Sequence, residues 1–199
     1  MENIKCAMYA LILDSIHPKD APIHLGLALQ SFNNKMFDIA EEIARGLTLS
    51  HNEYYTYGGF KQWRQDKIFT LLVGESTNKT ISSSNVISIG GLKNQLVKLQ
   101  ENAIETGTYY SSEIGDQLSC VVFLVDERVF NKVKYPDFDQ FLLQFQDIID
   151  TFEKDRTYSS IVEEITKHRS TVYLDWVKSI GGVRNEFLRG FLTQFERYT

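Results

Sequence analysis

Only two of the 199 residues are cysteine and three are proline. Cys6 and Cys120 each stand inside an apolar run, Cys6-Ala7-Met8-Tyr9 and Cys120-Val121-Val122-Phe123. Thiols in such runs behave as small hydrophobes rather than as a disulfide framework or a nucleophile. No CxxC and no Cys/His cluster occurs, and His24, His51 and His168 are scattered, with no two at i, i+4. No metal site and no cofactor are expected on that count. Positive charge is not in excess: 21 Lys and Arg face 26 Asp and Glu, a formal net charge of −5. That argues against a broad phosphate-backbone footprint, although a local basic patch stays open. No apolar run approaches the ~18 residues of a membrane span. The first residues show no basic start leading into an apolar signal region. The expectation is therefore no membrane association and a cytoplasmic location. Gly-Lys-Ser/Thr and GxGxxG loops are missing, so Gly90-Gly91 and Gly181-Gly182 read as helix punctuation. Ser82-Ser83-Ser84 lacks a Gly-x-Ser-x-Gly setting and reads as loop.

What is present is a chain able to bury a core, 43% hydrophobic and 13% aromatic. Residues 5–13 form a near-continuous apolar run ending at Asp14, the pattern of a strand covered on both faces. After the polar loop Ser15 to Asp20, apolar residues from Leu25 to Ile43 recur at 3-4 spacing. They predict one long helix stopped at Arg45-Gly46, with a break at Asn33-Asn34 as the other reading. Residues 47–66 read as an aromatic loop with Gly58-Gly59 as its turn. Lys67 to Gly74 reads as a strand, Ser76 to Asn85 as a surface loop and Val86 to Ile89 as a short strand. Gly90-Gly91 opens a helix closed by Gly107, and Leu118 to Val125 is the strongest strand signal in the chain. Alternating strands and helices indicate an α/β fold, a small mixed sheet with flanking helices.

Past residue 136 the character changes. Asp137-Phe138-Asp139-Gln140 reads as a capping box before a helical stripe from Phe138 to Phe152. Ser160 with Glu163 starts a shorter helix, Tyr173 to Ile180 a further one stopped by Gly181-Gly182, and Val183 to Phe195 the last. The expected organisation is an α/β domain over 1–136 and an all-helical C-terminal extension over 137–199, packed on it.

The order of elements to about residue 126 carries a resemblance. A buried strand ends in Asp14 and leads through a polar loop with Lys19 into a long helix. A second strand follows, then a helix ending Glu105-Thr106-Gly107, then Ile114-Gly115-Asp116 and a last apolar strand. This resembles the type II peptidyl-tRNA hydrolases and their relatives of similar fold. The resemblance implies a small mixed sheet flanked by helices and hydrolysis of the ester between peptide and tRNA. The family's Gly-Lys-rich loop and Ala-Ala-Gln tripeptide are replaced here by His17-Pro18-Lys19-Asp20-Ala21-Pro22-Ile23-His24. Its Asp-Ala-Gly stretch is matched at Asp116 alone.

Ligands of open α/β sheets gather at the carboxyl ends of strands, beside helix N-termini. If the chain is an enzyme, Asp14, His17, Lys19 and Asp116, with Asp20 beside them, are its catalytic candidates. An acid, an imidazole and an amine in one loop suit general acid/base work on an ester; the other reading is a solvated, capped turn. Tyr54, Tyr55, Tyr57, Lys61, Trp63 and Arg64 interleave rings with cations and are candidates for binding a partner or a base. The alternative is that the rings cover the sheet or the C-terminal helices. The sequence thus supports two functions. One is a non-catalytic, partner-binding or inhibitory protein on a peptidyl-tRNA hydrolase-like domain. The other is a hydrolase of a tRNA-linked or nucleotide-bearing ester. The missing motifs and the acidic charge favour the first, with a protein as partner. The oligomeric state is left open.

Overall fold

A computed structural model describes residues 5–74, 78–82, 85–89, 91–145 and 158–198. Its centre is β1 (Cys6–Leu13), every residue of which is buried. β1 lies between β2 (Phe69–Gly74), parallel to it, and β6 (Gln117–Asp126), antiparallel; β5 (Thr106–Ser111) pairs antiparallel with β6. The four-stranded sheet, in the order β2-β1-β6-β5, is therefore mixed. Nine of the ten residues of β6 are buried too, as two covered faces require.

The helix predicted after Asp20 runs unbroken as α1 (Ala21–Ala44), through Asn33-Asn34. Its buried residues Ala21, His24, Ala28, Phe32, Met36 and Ile39 keep the 3-4 spacing. α1 lies along β5 so closely that a methyl group on Gly107 would sit 2.3 Å from the Ala28 carbonyl oxygen. That explains a residue read as a helix stop: Gly107 is a strand position at which a helix backbone passes. The preceding helix α3 (Gly91–Glu101) ends earlier, and Ala103 takes the left-handed conformation in the turn to β5.

Most of residues 47–66 is helix rather than loop. Ser50 caps α2 (His51–Asp66) in a full capping box: its hydroxyl accepts from the Glu53 N–H and the Glu53 carboxylate accepts from the Ser50 N–H. Gly58-Gly59 lies inside this helix, and Gly59 is where α2 approaches the Cys6 sulfur and Leu124. The segment Ser76 to Asn85, also read as loop, contains β3 (Asn78–Ser82), paired antiparallel with β4 (Asn85–Ile89) in a separate two-stranded sheet. Ser82 is thus in a strand; Ser83 and Ser84 lie outside the described residues.

Two compact units are found, one of residues 1–127 with 191–199 and one of 128–190. Residue 136, the boundary read from the sequence, falls within the second. In that second unit α5 (Phe138–Leu142) follows the single helical turn α4 (Glu127–Phe130). α5 gives way to a 3-10 turn at Leu143–Phe145, and the rest of the stripe predicted to Phe152 lies outside the described residues. Asp137 is the N-cap of α5, but its side chain makes no capping bond; it serves Lys132 and Arg189 instead. The two helices expected from Ser160 and from Tyr173 are one, α6 (Tyr158–Ser179). Gly181 and Gly182, both at positive φ, separate it from α7 (Val183–Leu192). Trp176, Val177 and Ile180 form the unit's core, with Tyr135, Phe138, Phe141 and Tyr173 against it.

The extension is not helical to its end. Phe191 packs edge-on against Phe123 of β6, and Phe195 packs on Phe191. Residues 196–198 are extended and lie antiparallel along the outer edge of β2. The Val73 N–H donates to the Glu196 carbonyl and the Tyr198 N–H to the Leu71 carbonyl, flanking a bridge between Leu72 and Arg197.

Candidate functional site

Asp14 follows β1 directly and Asp116 precedes β6. Since Ile12 pairs with Cys120, the two acids stand at the same end of the sheet. Asp14, His17, Lys19 and Asp116 are all exposed. The loop folds on itself: the Ile16 N–H donates to the Leu13 carbonyl, and the His17 Nδ1 accepts from the Lys19 N–H at 3.2 Å. Asp116 has φ +56 beside Gly115 at +72, a turn that aims the chain into β6. Among the described residues no hydrogen bond or ion pair joins the four side chains to one another. Ile16 is the loop's anchor, buried, with its carbonyl accepting from the Tyr198 hydroxyl at 2.5 Å. Burial and the nearby charge of Asp20 raise the pKa of Tyr198, so it stays the neutral donor this bond needs.

Beneath the loop lies an imidazole and hydroxyl pair that the sequence does not announce. Tyr109 pairs with Cys120 and Tyr110 with Leu118, which leaves Ser119 as a bulge residue. Its hydroxyl donates to the Tyr109 carbonyl and lies in hydrogen-bond contact with the Nδ1 of His24 on α1 at 2.8 Å. Both side chains are buried. Buried in the core, this pair ties α1 to the sheet. Cys120, beside it, is pushed up to about 12 by burial and is a thiol, not a thiolate, at neutral pH.

The aromatic segment divides by helical phase. Trp63 is buried and its indole N–H donates to the Ile68 carbonyl; Phe60 lies between Phe32 and Trp63. The Tyr55 hydroxyl donates to Asp126, a carboxylate buried at the far end of β6. Tyr57 is half-buried under Lys61, and Arg64 extends over Phe60. Of the four rings among the six, Tyr54 is the exposed one, at 60%, and the Lys61 and Arg64 side chains are exposed too.

Tyr54 opens onto a feature that the sequence reading did not isolate. The end of α1, the Arg45 to Ser50 turn and the start of α2 enclose an open groove of about 490 Å³, lined by Ile43, Leu47, Leu49, Tyr54, Ser50 and His51 with Gly46. Ile43 is 41% and Leu47 55% exposed. The signal for it was Ser50-x-x-Glu53, which fixes where α2 begins and therefore which side chains flank the corner.

Among the described residues no three metal-binding side chains cluster, and no helix is long and apolar enough to cross a membrane. Comparison with protein families, with curated proteins and with solved structures finds no match.

Proposed function

We propose that the chain is a non-catalytic, partner-binding or inhibitory protein of the cytoplasm, built on an α/β domain resembling the type II peptidyl-tRNA hydrolases. It engages its protein partner through the groove at the α1–α2 corner. One observation carries this reading: Ile43, Leu47, Leu49 and Tyr54 place apolar surface in a single concave corner. Apolar side chains scattered singly over a surface need no explanation, whereas a cluster with a polar rim is the form a contact site takes, and that supports the reading. Ser50 and His51 supply that rim, and a tyrosine is an efficient anchor because its ring is large and stiff while its hydroxyl stays wet. The mixed sheet supports carrying the family resemblance as far as architecture.

The alternative, a hydrolase of a tRNA-linked or nucleotide-bearing ester, rests on Asp14 and Asp116 at one end of the sheet with His17 and Lys19 between the first strand and α1. Its weakness is that these groups are dispersed on the surface and that His17 Nδ1 already accepts a backbone N–H.

Affinity capture with the full chain separates the two. Groove variants Leu47→Glu and Tyr54→Ser should lose the captured protein by at least tenfold, and His17→Ala with Lys19→Ala should retain it. Capture of RNA that disappears with the loop variant and survives the groove variants would transfer the conclusion to the hydrolase.

A further inference from the structure

The outer edge of β2 offers a third surface, independent of the groove and the loop. An uncovered edge strand presents unpaired N–H and C=O groups and invites another strand. Here its occupant is the chain's own C-terminal segment. The seat is specific: main-chain bonds between Val73 and Glu196 at 2.9 Å and between Tyr198 and Leu71 at 3.1 Å, and the Tyr198 hydroxyl on the Ile16 carbonyl. Phe195 packs on Phe191, which is buried against Phe123.

Three properties make this segment exchangeable. It is short, with two main-chain bonds to β2, and elements with so few backbone bonds lie at the low-stability end of a structure's opening free energies. Glu196 and Arg197 are exposed, so the apolar surface uncovered by opening is confined to the Phe195 and Tyr198 rings and to what they cover. The turn Thr193-Gln194, exposed and next to the end of α7, can act as the hinge. A segment that leaves one β2 edge finds an identical edge on another copy, with every contact reproduced. The free-energy difference between closed monomer and exchanged dimer then reduces to the hinge and the entropy of association, which is why exchange of identical elements is a low-cost route to dimers.

We propose that the β2 edge is a strand-accepting site whose second occupant is the C-terminal segment Phe195–Tyr198 of another copy of this chain. The recognition is β-augmentation: backbone hydrogen bonds hold the strand, and the tyrosine on the Ile16 carbonyl fixes its register.

Leu72 and Arg197 face each other as a non-hydrogen-bonded pair, for which Cα atoms lie about 4.5 Å apart, inside the about 4.4–6.8 Å that a disulfide spans. The native Cys6 and Cys120 are buried. Full-length chains carrying Leu72→Cys are mixed with full-length chains carrying Arg197→Cys, incubated at high concentration and oxidised. Exchange predicts a disulfide-linked species of twice the 23.0 kDa chain mass, several-fold above the background from pairing Leu72→Cys with Val133→Cys, whose parent side chain is 98% exposed. The double variant Leu72→Cys/Arg197→Cys, kept dilute, should close within one chain. If it closes while the mixture stays at background, the segment is seated but not exchanged and the proposal fails. If it does not close at all, the seat itself is wrong and the proposal fails with it.

Discussion

The Arg189 side chain is 5% exposed and donates to the carbonyls of Arg128, Tyr135 and Pro136 and to Asp137 at 2.5–3.1 Å. Its five donors make it suited to gather several acceptors at once, and it thereby fixes the irregular stretch before α5. Arg189→Ala removes this hub and takes its hydrogen bonds from the half-buried carbonyls of Arg128 and Tyr135, while the Pro136 carbonyl keeps the Trp176 indole N–H. The substitution should cost about 1–3 kcal/mol, the range for leaving hydrogen-bonding groups without their partner, read from urea unfolding followed by tryptophan fluorescence. Asp137 adds a pH dependence. Burial would push its carboxyl up, but the Lys132 hydrogen bond and the Lys132 and Arg189 charges outweigh this and hold it below the usual aspartate range. A carboxyl lowered on folding stabilises the folded state above its unfolded pKa, and that contribution fades as pH falls through the folded value. Acid unfolding curves of Asp137→Asn should therefore converge with those of the native chain below that value and lie lower above it. A constant offset at every pH would contradict the pairing. None of this was legible in the sequence. Asp137-Phe138-Asp139-Gln140 has the form of a capping box, yet the ligands that claim Asp137 are five residues before it and fifty-two after it.

Elements with a single strong period were legible, and those whose pattern is mixed were not. β1, β6 and α1 are long runs of one kind, all apolar or unbroken 3-4 spacing, and each lies where the sequence puts it. α2 was hidden because Tyr54, Tyr55 and Tyr57 with Gly58-Gly59 resemble a turn by composition. The capping box Ser50-x-x-Glu53 outweighs that, and Gly59 is needed for close approach to Cys6. β3 was hidden because Asn, Lys and Ser are poor strand evidence without a partner, and the partner β4 supplies it. The loop at 14–20 follows the carboxyl end of β1, as the apolar run of residues 5–13 implies. The groove was invisible while α2 was read as loop. Gly107 and Gly26 test the reading of elements. Gly107→Ala would drive a methyl into the backbone of α1 at Ala28 and Phe32 and should cost about 1–3 kcal/mol or more, since neither backbone can yield. Gly26→Ala, inside α1 with nothing within 4 Å, should stabilise by about 0.5–1 kcal/mol. Thermal melts of the two variants should move in opposite directions.

At the scale of the whole molecule the chain leaves its sheet after β6 and returns to it, because residues 191–199 belong with 1–127. Deleting 137–199 therefore removes Phe191 from Phe123 and strips the β2 edge of its covering strand. We expect the 1–136 fragment to aggregate or to lack a sharp thermal transition. A monomeric fragment that melts cooperatively would show that the returning segment is dispensable. If the molecule acts by binding a protein at the corner of α1 and α2, hydrogen exchange of the full chain, alone and with its purified captured partner, should show added protection over residues 43–54 and little change over 14–20. Protection concentrated at 14–20 and around Asp116, with 43–54 unchanged, would instead place the contact at the loop.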